Sequence, residues 1–257
     1  MKLQTAERVS GEDPTDNYVL KRSALAYVET AKIISGKCLE IGTGSRYGLE
    51  VVVPSLDQLT TIDKFQVDTD MTDEIRNKVE FVQMTVPPFK GLADNTFDYC
   101  FTFQLIEHIQ DDHLLVQEIH RVLKPGGKLI CSTPNRTMSI TRNPWHIREY
   151  IPAELHALLG KYFSHVDGKG VFGNEKVMKH YQENVDSVKK ITRFDIFDLQ
   201  HRLPRQLLQI PYDILNRFNR KKLYKEGGGS VSDIKLEDFY MDEAKEDCLD
   251  LFYIAQK

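Results

Sequence analysis

Residues 38–48 read CLEIGTGSRYG. A short apolar run carries one acid, Glu40, and breaks into glycines at 42 and 44. Glycine after a strand lets the backbone approach a ligand closely and lets a helix start against it. Lys37–Ile41 therefore reads as a strand, and Leu49–Val53 as a helix stub closed near Pro54. The next stretch, Gln58–Ile62 (QLTTI), is a second strand that ends in Asp63, 21 residues after Gly42. A carboxylate at that distance from the first glycine is placed to take ribose hydroxyls. The stretch thus reads as the cradle of a nucleoside-containing cofactor.

Working outward, Tyr18–Ile34 has helical spacing. Val79–Val82 and Phe97–Phe103 are further strands, the latter near-continuously apolar, as in a strand buried on both faces. Asp112–Leu123 is a helix with Leu115, Ile119, Val122 and Leu123 on one face. KPGG (124–127) reads as a turn and Lys128–Ser132 as the fifth strand. Strands alternating with helices imply a parallel, doubly wound sheet, whose ligands sit beyond the carboxyl ends of the strands. Glu40–Gly44, Asp63, Gln83–Met84, Gln104–His108 and Thr133–Asn135 should then meet in one crevice. The second half adds a strand at Phe163–Phe172, helices at Lys176–Lys190 and Leu203–Tyr224, a flexible joint at GGGS (227–230) and a closing strand at Cys248–Ala255. The expected architecture is α/β: a Rossmann-like, doubly wound, mostly parallel seven-stranded sheet with a helical cap insertion. Residues 1–173 and 231–257 form the cofactor-binding domain, 174–230 the insertion, and 1–17 are expected to be loose.

The dinucleotide fingerprint GxGxxG fits Gly42 and Gly44, but Tyr47 stands at its third glycine. Glu40 places a negative charge just before the loop, which repels phosphate and attracts an ammonium or sulfonium. A cationic, phosphate-free nucleoside is favoured, and S-adenosyl-L-methionine is the candidate. LEIGTG (39–44), TTID (60–63), ADNTFDYCFTFQLIEHI (93–109) and LKPGGKLICSTPN (123–135) together resemble class I S-adenosylmethionine-dependent methyltransferases. The resemblance covers roughly 18–165 and 248–256. It implies that Glu40 contacts the methionine end of the cofactor and that Gly42 and Gly44 line it. By the same likeness Asp63 holds the ribose, Gln83 and Met84 flank the adenine, and Phe103 and Gln104 run beside the methionine moiety. Two positions depart from the family: Arg46 stands where a third glycine is common, and Met84 where an acid often meets the adenine amino group.

Methyl transfer from a sulfonium mainly requires alignment and exclusion of water. A base is needed when the acceptor is a hydroxyl or a charged amine. Glu107, His108 and His146 are the candidate catalytic residues, with Asn135 also at a strand end. The stretch STPNRTMSITRNPWHIREY (132–150) is a long polar loop resembling a bacterial subgroup linked to glycan or natural-product genes. His146 and Arg148 are expected to reach the acceptor pocket. The acceptor is read as a small molecule or glycan, methylated at oxygen. Quinone-biosynthesis and small-RNA O-methyltransferases resemble this region too, but carry a metal-binding carboxylate where this chain has Gln104. A metal-assisted enzyme of that kind, with Glu107, His108 and His146 as remaining ligands, is the first alternative. A nicotinamide-dependent oxidoreductase, opposed by Tyr47 and Glu40, is the second, and a module that binds the cofactor without catalysis the third.

In 203–224, Leu207, Ile210, Ile214, Leu215 and Phe218 recur at near-helical spacing and run into Arg217, Arg220, Lys221 and Lys222. Such a helix either packs as a lid or makes weak contact with an anionic membrane surface. The net charge of −4 over 257 residues gives no footprint for DNA. Four separated cysteines, at 38, 100, 131 and 248, form no CxxC pair and read as buried free thiols of a reducing compartment. With no stretch of signal or membrane-spanning character, the expectation is a cytoplasmic protein.

Overall fold

The computed structural model describes residues 11, 13–65, 71–193, 195, 198–226 and 231–257. The joint expected at 227–230 lies outside them, as does most of the segment expected to be loose. Within that segment Pro14–Asp16 form a 3₁₀ turn.

The elements in chain order are α1 (Asn17–Ala31), β1 (Lys37–Ile41), α2 (Leu49–Val52), β2 (Gln58–Asp63), α3 (Asp73–Lys78), β3 (Val79–Gln83), β4 (Phe97–Phe103), α4 (Asp112–Val122), β5 (Leu123–Pro134), α5 (Pro152–Leu159), β6 (His165–Gly173), α6 (Glu175–Thr192), α7 (Leu199–Arg202), α8 (Arg205–Glu226), β7 (Phe239–Glu243) and β8 (Asp250–Gln256). They build one sheet in the order β3-β2-β1-β4-β5-β8-β6-β7. The first five strands in that order are parallel. β8 runs antiparallel to β5 and β6, and β7 antiparallel to β6. The fold is the expected α/β, mostly parallel, Rossmann-like sheet.

The sheet has eight strands, not seven. The added strand, β7, has the sequence FYMDE and lies at the sheet edge, where only Phe239 is buried. An edge strand is hydrated on one side and carries charge, so it has no apolar run to reveal it. KPGG is not a separate turn either: β5 runs through it, and the β4–β5 register shifts between Phe97 and Tyr99. Gly127 makes that irregularity feasible, because a Cβ there would lie 2.9 Å from the Lys124 carbonyl oxygen. The six-residue α3, started by a hydrogen bond from Ile75 N to Thr72 Oγ1, is too short for periodicity to announce.

Both faces of the sheet are covered. Leu115, Val116, Ile119 and Val122 of α4 are fully buried with Leu39 and Ile41 on one side. Tyr27 of α1 and Leu49 and Val52 of α2 pack with Cys38, Phe101 and Phe103 on the other. Each such side chain contributes about 1.5–3 kcal/mol on leaving water. The chain reverses direction of winding between β1 and β4, which opens a crevice at their carboxyl ends.

α6, α7 and α8 fall between β6 and β7 in the chain. α8 is continuous through Pro211. Its inner side is tied down by polar bonds: Ser187 Oγ donates to Asn219 Oδ1 at 2.7 Å, and Asn219 Nδ2 to Asn184 Oδ1 at 2.7 Å. Arg220 pairs with the buried Asp16 at 2.6 Å. All four cysteines are free and buried, and burial pushes the Cys38 thiol up to about 12 and that of Cys248 up to about 11. Among the described residues no helix is long and apolar enough to cross a membrane.

Candidate active site

The glycine loop after β1 turns through left-handed backbone: Gly42 has φ 88° and Gly44 φ 56°. Asp63 at the end of β2 clamps it. Gly44 N donates to Asp63 Oδ2 at 3.0 Å, and Phe65 N to Oδ1 at 2.9 Å. Arg46 takes φ 64°, the conformation a glycine would adopt at this point. An L-residue there costs about 1–2 kcal/mol, and the guanidinium lies over the Phe81 ring at 5.0 Å, a contact that offsets part of the cost. The departure from the family pattern is thus absorbed without changing the course of the loop.

Gly48, which the fingerprint does not single out, has a packing role. A Cβ there would fall 2.0 Å from the Tyr27 ring. This is the close helix contact served by the third glycine of the dinucleotide motif, moved one position along because Tyr47 fills its place.

Glu40 lies beneath the loop rather than in the cavity wall. Tyr27 Oη donates to its Oε1 at 2.9 Å and Thr61 Oγ1 to its Oε2 at 2.6 Å. Burial pushes its carboxyl upward against those hydrogen bonds. Phe103 stacks edge-on against Tyr27 with ring centroids 4.7 Å apart. Gln104 has φ 52°, and its side chain bonds the buried Asp250, which also pairs with Arg22 at 2.9 Å. Met84 N donates to the Asp63 carbonyl at 2.9 Å, and the exposed Gln83 bonds the Lys64 carbonyl at 3.1 Å. Gln83 and Met84 therefore sit beside Asp63 at the strand ends, outside the wall of the main cavity.

That cavity measures about 670 Å³. Gly42, Gly44, Tyr47, Phe103 and Gln104 line one end. Glu107, His108 and His146 come next, and α6 and α8 close the far side with Tyr181, Asn184, Tyr212 and Asn216. No periodicity marks those last four residues in the sequence, and only the packing of α6 and α8 brings them here.

Glu107 and His108 share a 3₁₀ turn, Ile106–His108. Sequence reasoning sends these neighbours in different directions, with one facing the acceptor, yet both line the cavity because the turn is tight. Glu107 is buried and accepts Thr133 Oγ1 at 2.9 Å. Its carbonyl receives Ile147 N at 2.7 Å and so docks the 132–150 loop. Burial pushes the Glu107 carboxyl up, against the opposing pull of His108 and His146. His108 Nδ1 lies 3.1 Å from the Trp145 carbonyl oxygen. A carbonyl only accepts, so Nδ1 carries the proton and Nε2 is the basic nitrogen. His146 Nδ1 meets Glu149 Oε1 at 2.5 Å and its Nε2 meets Asn143 Nδ2 at 2.8 Å, which fixes the same tautomer. The two imidazoles are 4.9 Å apart, edge to face. One ligand atom each from Glu107, His108 and His146 lies within 4.8 Å of the others.

Two loop residues do other work. Arg148 pairs with Asp112 at 2.5 Å and lines an adjoining cleft of about 600 Å³ with Arg136 and Arg205, so it does not line the main cavity as expected. The Asn135 amide is spent on the carbonyls of Glu246 and Cys248, at 2.9 and 2.8 Å, pinning the chain before β8.

A doubly wound sheet with a glycine turn and a strand-end carboxylate at its switch point is a nucleoside-cofactor site, and a deep cavity alongside it is the place for a second substrate. Residues 39–131 match the family described as "Methyltransferase domain". A protein of Mycolicibacterium smegmatis described as a "Probable S-adenosylmethionine-dependent methyltransferase" is 33% identical over 177 residues, covering 65% of this chain and 68% of its own. The "Ubiquinone biosynthesis O-methyltransferase" of Xanthomonas oryzae pv. oryzae is 26% identical over 163 residues, 55% of this chain and 68% of its own. In structure, a SAM-dependent methyltransferase from Archaeoglobus fulgidus superposes with a TM-score of 0.52 at 16% identity, covering 94% of each chain. The chain belongs to the S-adenosylmethionine-dependent methyltransferases, and S-adenosyl-L-methionine is its cofactor. The residues fit that donor: a carboxylate at the second strand end, bare left-handed backbone at Gly44 with open space where a Cβ would stand, and Tyr47, Phe103 and Gln104 in the wall beside the loop.

Proposed function

We propose that the enzyme methylates an oxygen of a small molecule or glycan. The observation that carries this reading is His108, oriented by the Trp145 carbonyl at 3.1 Å so that Nε2 is its basic nitrogen, in the wall of the cavity that begins at the donor loop. S-adenosylmethionine supplies a methyl group already activated on a sulfonium. The protein's tasks are to align the acceptor, exclude water and hold the proton a hydroxyl must lose. As the acceptor oxygen gains the methyl group, its proton passes to His108 Nε2. Glu107, buried beneath, offsets the imidazolium charge that results. His146, fixed by Glu149 and Asn143, braces the neighbouring ring.

The far wall supports a hydroxyl-rich acceptor. Asn184, Asn216, Tyr181 and Tyr212 give it a polar lining, although Tyr181 Oη donates to the Met138 carbonyl at 3.0 Å and Asn184 Oδ1 accepts from Asn219. The quinone-pathway relative is by its name an O-methyltransferase, which accords with oxygen as the target. The test is transfer of radiolabelled methyl to a panel of hydroxylated sugars and lipid-linked glycans. Label recovered as a methyl ether supports the reading, and label on nitrogen or carbon refutes it.

A second reading, a metal-assisted O-methyltransferase of the RNA or quinone type, is favoured by the closeness of Glu107, His108 and His146. One carboxylate and two imidazoles suit a transition metal better than magnesium. Gln104, engaged with Asp250, adds no anionic ligand. Activity unchanged by a chelator removes this reading, whereas activity lost to the chelator and restored by a divalent metal makes His108 a ligand instead of a base.

A further inference from the structure

α8 leaves a ridge of apolar side chains uncovered. Leu207, Ile210, Ile214 and Phe218 are 63, 70, 61 and 63% exposed. Their spacing of three or four residues stacks them on one side of the helix. The opposite side carries the buried Asn219 and Leu223 that hold α8 to the protein. Beyond Phe218 the outer side turns basic, with Lys221 and Lys225 exposed and Arg217 and Lys222 beside them. Asp13 faces Arg217 and Lys221, and Glu226 faces Lys222, leaving an excess of positive charge.

We propose that this face of α8 lies on an anionic membrane surface and that the cavity takes its acceptor from that membrane. The second half rests on reading the cavity as the acceptor site. An interfacial helix sinks apolar side chains to the boundary of the acyl chains and sets lysines and arginines against lipid phosphates. The whole chain is net negative, so the attraction is local to this helix. A second copy of the chain is a poorer occupant. Two such faces would oppose like charges, with Glu226 the one acid on the outer last turn.

The cavity opens where this surface begins. Leu215 of α8 and Leu199 of α7 are 48 and 45% exposed and also line the cavity, as does the exposed Pro211. An apolar rim of this kind passes an acyl or prenyl chain while a hydroxylated head reaches His108. The acceptor class that fits is a lipid-borne hydroxyl compound.

The experiment is flotation of the full chain with vesicles of phosphatidylcholine alone or mixed with phosphatidylglycerol. Binding is expected only with the anionic lipid and should weaken as salt rises. Ile214→Asp combined with Phe218→Asp should cut the bound fraction roughly tenfold or more. Lys221→Glu with Lys225→Glu should do likewise. S-adenosylhomocysteine affinity within about twofold of the parent shows that the variants are folded, since none of these side chains lines the cavity. No flotation, or equal flotation of parent and variants, overturns docking. So does a parent dimer that dissociates on Ile214→Asp without binding vesicles. Flotation does not depend on catalysis, so the two readings fail separately. Vesicle binding without methyl label in any vesicle-borne hydroxyl lipid overturns delivery from the membrane and leaves docking standing.

Discussion

The hydroxyl of Tyr27 and Oε1 of Glu40 lie 2.9 Å apart, joining α1 to β1 directly beneath the glycine loop, while Thr61 occupies the other carboxylate oxygen. The acid of the first motif is therefore held by the protein itself. Burial raises its folded pKa above the unfolded carboxyl value of about 4.3. A raised carboxyl opposes folding increasingly as pH climbs from the unfolded value toward the folded one. Glu40→Gln should thus be at least as stable as the parent at neutral pH in urea titration. On the family likeness, which sets this charge toward the methionine ammonium, its affinity for S-adenosylhomocysteine should fall about tenfold. Unchanged affinity would mean that Glu40 only supports the loop.

Gly48→Ala sets a methyl group against the Tyr27 ring. Overpacking of this kind costs about 1–3 kcal/mol. Because Tyr27 also holds Glu40, cofactor affinity should drop along with the thermal midpoint. An unchanged midpoint and unchanged affinity would mean that the Tyr27 ring gives way without cost.

Arg46→Gly releases the left-handed backbone from its Cβ but removes the contact with Phe81. These effects, about 1 kcal/mol each, oppose one another. Stability by urea titration should change by less than about 1 kcal/mol, and S-adenosylhomocysteine should still bind in calorimetry. Loss of binding would assign Arg46 a direct role in holding the donor.

His108→Asn keeps a donor for the Trp145 carbonyl and removes the base. Turnover of a hydroxyl acceptor should fall by roughly 10² to 10⁴. Calorimetric affinity for S-adenosylhomocysteine should stay within about twofold. A parallel fall in both would instead make the residue structural.

Asp238 secures the start of α6: Lys176 Nζ at 2.5 Å, Asn174 Nδ2 at 2.8 Å and Lys235 N at 2.8 Å all point at its carboxylate. These partners hold it down to about 2. A depressed carboxyl contributes stability that is full above the unfolded value of about 3.9 and is lost as pH falls toward 2. Acid titration followed by hydrogen exchange should show the α6 amides losing protection in that window. Asp238→Asn should remove that pH dependence.

The sheet and donor site were legible in the amino-acid pattern for a local reason. β1 and β4 are buried on both faces and so read as apolar runs, β2 shows as the β-branched stretch QLTTI, and the left-handed turn at Gly42 and Gly44 needs glycine where glycine stands. Asp63 follows its strand directly, so its distance from Gly42 is fixed by the length of one βαβ unit. β7 and α3 escaped because one is a hydrated edge and the other is short.

What sequence by itself determined is the class of cofactor, because the charge of Glu40, the bare backbone of the loop and the carboxylate of Asp63 act within two adjacent strands. Tertiary structure alone decided the acceptor side. It turned Arg148 away to Asp112, spent Asn135 on the chain before β8, and set His108 and His146 edge to face. Those outcomes depend on which carbonyl or carboxylate lies within hydrogen-bond reach across elements dozens of residues apart, and no spacing along the chain encodes that distance.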